Sequence, residues 1–198
     1  MAIIYYPDYK EASERHLETC LKIREILETQ YQSKIVLSTR ESIEQNFLLS
    51  NLYYLSGYII ECIYNYAIFK NISYPNNIDV NDLKYNRSGP RHNAPCNVAF
   101  RHNEHTPNRA FIIAGARGHK LFGHMDFFQN SSYLPHAGAS SIPLLDGHSL
   151  NRPCNLLFQS WDVYSRYKID SSLSLNFTNT FDFFDVAIEV YKGVIKYL

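Results

Sequence analysis

SNLYYLSGYIIECIYNYAIFK, residues 50–70, carries a single acid, Glu61, and a single base, Lys70, in a run that is otherwise apolar, aromatic or neutral. Laid out at 100° per residue, Leu52, Leu55, Ile59, Ile63 and Tyr66 fall on one side of a helix, and Ser50, Tyr54, Gly57, Glu61, Tyr64 and Asn65 on the other. A helix with so little charge on either side has to be covered on both. The run is long enough to raise the question of a membrane span. Glu61, Asn51 and Asn65 would each need a partner in lipid, however, and no basic flank precedes them, so a buried helix over residues 43–70 is expected. A carboxylate inside such a helix must either take a proton or meet a cation.

Three further helices are legible around it. Over residues 8–30, Leu17, Cys20, Leu21, Ile23 and Leu27 recur at three- and four-residue steps among Glu14, Arg15, Glu18, Lys22 and Glu25. Pro153, two residues after Asn151, suits a first helical turn, and Leu157, Trp161 and Tyr164 extend that helix to about residue 168 on one shared face. Over residues 178–198, Phe181, Phe184, Ile188, Tyr191, Ile195 and Leu198 keep strict three-four spacing. Thr178 and Thr180 are the expected caps there, with Asp182 and Asp185 in the first turn and Lys192 and Lys196 in the last. Between residues 71 and 150 the periodicity dissolves into Asn, Pro, Gly and His. Within that insertion Val98–Phe100 and Ala110–Ile113 predict a β-hairpin, and residues 118–129 a short helix through Leu121, Met125 and Phe128.

One domain of 198 residues with equal numbers of acidic and basic side chains, 19 each, has no global field to recruit nucleic acid or anionic lipid. A nucleic-acid site would have to be a local patch. Sixteen Tyr and twelve Phe supply large contact areas that tolerate a wet edge. Cys20, Cys62, Cys96 and Cys154 form no C-x-x-C pair, and MAIIYYPDYK lacks the basic start of a signal peptide, so a reducing, cytoplasmic setting is expected.

YLSGYIIECIYNYAIF, residues 54–69, resembles the second helix of HEPN domains, the helical bundles of prokaryotic nucleotidyltransferase partners and ribonuclease toxins. The glutamate–cysteine pair at that distance from a glycine carries most of the likeness. GHKL, Gly118–Leu121, is similar to the start of the family's third helix, and SWDVYSRY, Ser160–Tyr167, to the helix that ends in Arg-Tyr. The resemblance implies an all-α, HEPN-like up-and-down bundle of four or five helices in one domain, residues 1–198, with the long insertion between its second and fourth helices. It also implies a homodimer and a link to RNA, nucleotides or a nucleotidyltransferase-type partner protein, in a toxin–antitoxin or defence setting. By the same likeness His119, Arg166 and Tyr167 would line the binding cleft, and Arg166 would be the cation that meets Glu61.

Nuclease members of that family cleave RNA without metal through Arg-x(4–6)-His. The chemistry needs an acid/base near neutral pKa beside a guanidinium that offsets phosphate charge. Arg87 with His92 and Arg117 with His124 both have the spacing; the second pair could share a helix, which makes Arg117 and His124 the expected catalytic pair. Seven of the eight His lie between residues 92 and 148 with Arg101, Arg109 and Arg117, a composition that suits either a phosphate-binding patch or an ordinary polar loop. His92, Cys96, His102 and His105 hold zinc-type donors, but their spacing matches no standard site, and neither metal nor cofactor is expected. No G-x-S-x-G elbow and no P-loop occur. Trp161 and Tyr164, sharing a face with Leu157, are expected in the core rather than as a platform for bases.

Overall fold

Pro7 in a first turn and the Asp8 carboxylate, which accepts from the Tyr5 N–H at 2.8 Å, start α1, Tyr6–Gln30. The computed structural model describes residues 3–71, 75–80, 121, 150–166, 173 and 175–198. After α1 come α2 (Thr39–Asn71), α3 (Arg152–Ser160), a 3-10 turn (Val163–Arg166) and α4 (Phe177–Tyr197). Among the described residues there is no strand, and the fold is an all-α bundle. The predicted hairpin at 98–113 and the helix at 118–129 lie outside the described residues, except Leu121, which is helical and fully buried.

α2 begins four residues earlier than its apolar pattern. Ser38 and Glu41 form a reciprocal cap: the Ser38 N–H donates to the Glu41 carboxylate at 2.8 Å, and the Glu41 N–H donates to Ser38 Oγ at 3.3 Å. Lys34 adds an ion pair to the same carboxylate at 2.6 Å. These bonds to Lys34 and Ser38 hold the Glu41 carboxyl down at about 2.

α1 and α2 run antiparallel, as shown by the contacts Tyr6–Tyr66 at one end and Ser13–Ile59 further along. The Ser13 hydroxyl, fully buried, donates to the Ile59 carbonyl at 3.1 Å, so a small polar residue joins the two helices inside the core. α4 lies parallel to α2: Tyr53 meets Phe183 with ring centroids 5.3 Å apart, and Lys70 reaches the Leu198 carbonyl. Arg24 of α1 pairs with Asp185 of α4 and lies over the Phe181 ring, joining the third side.

The expectation that α2 is covered on both sides holds. Leu52, Tyr53, Ile59, Ile60, Ile63 and Ala67 are fully buried, and Tyr64 on the other side nearly so. Burying each aliphatic side chain contributes roughly 1.5–3 kcal/mol, and this helix supplies the longest row of them. No helix among the described residues is long and apolar enough to cross a membrane.

Three details differ from the sequence pattern. Leu21, expected in the α1 stripe, is half exposed, and Ser13 takes the inner position instead. In α4 the expected Phe181 and Phe184 are buried, but Phe183, Ala187, Val190 and Val194 are fully buried as well, while the expected Ile188, Tyr191 and Ile195 are only partly buried; both lines are apolar, so periodicity alone could not choose between them. The cap of α4 is Asn176, whose side chain accepts from the Asn179 N–H at 2.9 Å. Thr180 is buried in the helix, and Asp182 and Asp185 stand beyond the first turn, where they bond to Asn151 and Arg24.

Candidate functional site at the Gly57–Trp161 crossing

α3 starts as its sequence predicts, with the Asn151 side chain accepting from the Cys154 N–H at 2.9 Å and Pro153 in the first turn. It does not continue to residue 168. It stops at Ser160 because Trp161 turns extended, with φ −66° and ψ 132°, and lays its indole on α2 over Gly57. A Cβ at residue 57 would fall inside that indole, so glycine is required by close approach and not by an unusual backbone angle. The Trp161 Nε1–H donates to the Tyr54 carbonyl at 3.0 Å, which fixes the ring's rotation. The indole is 1% exposed, so the expectation of a core tryptophan holds.

After Trp161 the chain makes a tight turn organised by Asp162. The Tyr164 N–H donates to Asp162 Oδ1 at 3.0 Å, the Ser165 N–H donates to the Asp162 carbonyl at 2.9 Å, and the Asp162 N–H donates to Ser165 Oγ at 3.2 Å. Ser165 is buried against Tyr53, whose hydroxyl donates to the Leu157 carbonyl at 2.8 Å. Tyr164 points the other way and is 72% exposed. The sequence expectation that Trp161 and Tyr164 share a buried face is therefore wrong. The helix break between them rotates the two rings apart.

Around the crossing the rings form a continuous lane from α1 to α3. His16 lies 5.6 Å from the Tyr58 ring, and Tyr58 meets Tyr54 edge-on at 4.9 Å and Trp161 edge-on at 5.1 Å. The Tyr54 hydroxyl donates to the Tyr58 hydroxyl at 3.2 Å. His16, Tyr54 and Tyr58 are each half-buried, so this lane has a wet edge.

Glu61 sits one turn beyond Gly57, 8% exposed, and its charge reaches the neighbouring titratable groups. Burial, above all, pushes the Tyr9 and Tyr58 phenols well above their ordinary value, with Glu61 adding to both. His16 is lowered, first by burial and then by Arg15, against an opposing pull from Glu61. Burial likewise pushes the Cys20 and Cys154 thiols up to about 12, which keeps them protonated and unreactive.

Of the residues singled out in the sequence, Glu61 lies in the bundle as a buried carboxylate, and Arg166 closes the 3-10 turn that packs on α2. The Arg166 side chain lies outside the described residues, and so do Tyr167, His119, Arg117, His124 and the zinc-type set His92, Cys96, His102 and His105. Among the described residues no cluster of donors could hold a metal ion.

No family model, curated protein or solved structure matches this chain. The geometry must carry the functional reading.

His16 is the member of the site that the sequence pattern passed over. Its signal is positional: Ser13, His16, Cys20 and Leu27 lie at steps of three, four and seven on the buried side of α1, so it is the histidine that falls on a core stripe.

Proposed function

We propose that this chain is a HEPN-like protein that binds RNA or a nucleotidyltransferase-type partner protein, acting as a homodimer in a prokaryotic toxin–antitoxin or defence system. The observation that carries the reading is the Gly57–Trp161 crossing. The two segments that bear the family likeness, YLSGYIIEC and SWDVYSRY, lie far apart in sequence yet meet through the glycine of one and the tryptophan of the other. That contact supports a shared scaffold in which Arg166 borders the cleft and stands across from Glu61 as a cross-bundle ion pair. A double-mutant cycle of Glu61→Gln and Arg166→Gln tests the pair. Additive losses of stability would remove it, because groups in direct contact couple by roughly 0.5–3 kcal/mol.

RNA binding is tested by retention of labelled RNA across a salt series. Binding that weakens steeply with salt supports phosphate contacts, and no retention at low salt rejects the RNA reading. Cleavage would need Arg117 and His124. Degradation of RNA in EDTA that disappears on His124→Ala establishes it, and unchanged cleavage by that variant removes the assignment.

A second reading, a dimeric interaction protein without catalysis, draws on the far end of the bundle. Ile35, Val36, Ile43 and Phe47 are 99%, 82%, 66% and 66% exposed there, an apolar surface of the kind that marks protein contacts.

A further inference from the structure

The first turns of α2 leave apolar side chains on a helix face that has no neighbour among the described residues. Ile43 and Phe47, one turn apart, are both exposed, and at 100° per residue their stripe points away from the buried Leu49 and Leu52. Ile35 and Val36, also exposed, belong to the same end of the molecule. Lys34 is tied to the Glu41 carboxylate at 2.6 Å and Ser38 caps the helix, so these two residues lie between two points fixed on its first turn. Charge borders the stripe on one flank only. Arg40 and Glu44, one turn apart and both exposed, stand on that flank, whereas the opposite one carries Thr39, Asn46 and Ser50. Glu41 is engaged by Lys34 and Glu44 faces the Tyr31 hydroxyl, while Arg40 makes no ion pair among the described residues.

A helix with its charges on one flank selects both a partner and an orientation. In a parallel pair the charged flank would meet the neutral one. In an antiparallel pair related by a two-fold axis it meets its own copy, and residue i faces j as j faces i. With the axis near Ser42, Arg40 of each copy faces Glu44 of the other. The same axis sets the two Ile43 side chains about 3 Å apart along the helices, at 1.5 Å rise per residue, close enough to touch. It also carries Phe47 about 7.5 Å past the axis, beyond the Thr39 start of the second copy's helix and level with the loop that holds Ile35 and Val36. One register therefore pairs the charges and covers the exposed apolar side chains together.

We propose that a second copy of this chain docks antiparallel on the first turns of α2, with Ile43 and Phe47 buried against its Ile43 and its 35–36 loop, and with Arg40 and Glu44 paired reciprocally. This rests on the homodimer of the proposed function and adds to it the surface and the orientation. The test uses the full chain in sedimentation velocity over a micromolar concentration series. Arg40→Glu and Glu44→Arg each turn two attractive contacts into two repulsive ones, and each alone is expected to weaken the dimer about 100-fold. Mixed in equal amounts, the two variants are expected to form a heterodimer of wild-type affinity, because one copy then brings two acids and the other two bases. Both reversals in one chain should restore the homodimer as well. Both positions are exposed, and an acid in the first turn suits the helix dipole, so folding should be kept, as circular dichroism checks. Dimers that persist in both single reversals overturn this interface and leave the homodimer standing. Reversals that dissociate the dimer without rescue on mixing overturn the antiparallel register. Wild-type protein that stays monomeric overturns the interface and the homodimer together.

Discussion

The two ends of α2 make opposite use of apolar side chains. Near its middle, Gly57 gives up its side chain so that the Trp161 indole can lie on the helix backbone, and Tyr53, Ile59, Ile60 and Trp161 around it are buried. Towards its start, Ile43 and Phe47 stand in water, as do Ile35 and Val36 of the preceding loop. In the first place sequence is spent on fit within the chain. In the second it leaves a surface that nothing among the described residues covers. The difference predicts where substitutions are costly for folding and where they matter only for association.

The largest effect should follow from Gly57→Ala. The added methyl would occupy the indole's position, so Trp161 must move, breaking its bond to the Tyr54 carbonyl and loosening the turn that carries Tyr164. A loss of about 3 kcal/mol is expected in urea unfolding, at the upper end for overpacking because a hydrogen bond goes with it. In the Trp161→Ala background the same substitution should cost far less, since the obstructing ring is gone. Equal costs in both backgrounds would break the crossing as an explanation for the glycine.

This crossing also marks the limit of what the sequence conveys. That α2 is buried on both sides follows from the near absence of charge between Ser50 and Lys70, which is a local property. So does the start of α3, where Asn151 and Pro153 act within one turn. The break after Ser160 is different. Leu157, Trp161 and Tyr164 keep helical spacing, and what stops the helix is a glycine about a hundred residues earlier in the chain, a tertiary contact that no window of local sequence contains. The start of α2 was available in the letters, as Ser38 and Glu41 three residues apart, but the apolar pattern begins only at Ile43 and draws the boundary inward. For the site, Glu61 was legible as an odd charge in a neutral helix. His16 was not, because it reads as one polar residue on an amphipathic helix until its ring is seen against Tyr58.

A smaller effect should come from pH. The His16 imidazole is lowered below its ordinary 6.5, mainly by burial, so as pH falls the unfolded chain takes up that proton before the folded one does. Its contribution to stability is fully present above about 6.5 and declines as pH drops through that value towards the lowered one. The facing groups set the balance: Arg15 favours the neutral ring, Glu61 the charged one. Stability measured by urea unfolding at pH values either side of this window should fall more for wild type than for His16→Gln. Identical declines would mean that His16 is not held neutral by the α1–α2 packing.

The smallest effect on folding is expected at the other end of α2, and it is the one that gives the comparison its meaning. Ile35→Ser with Phe47→Ser removes two side chains that are 99% and 66% exposed, so the monomer loses little burial and its unfolding free energy should change by no more than about 0.5 kcal/mol. If this surface is where two copies meet, the same pair of substitutions should shift the protein from dimer to monomer in sedimentation at micromolar concentration. An interface residue can be silent in the stability of one copy yet decisive for two, since the burial it contributes exists only in the complex. A dimer that survives both substitutions would place its contact elsewhere. A wild-type protein that is already monomeric would leave the tip as a surface for a different protein and would remove the homodimer from the proposed function.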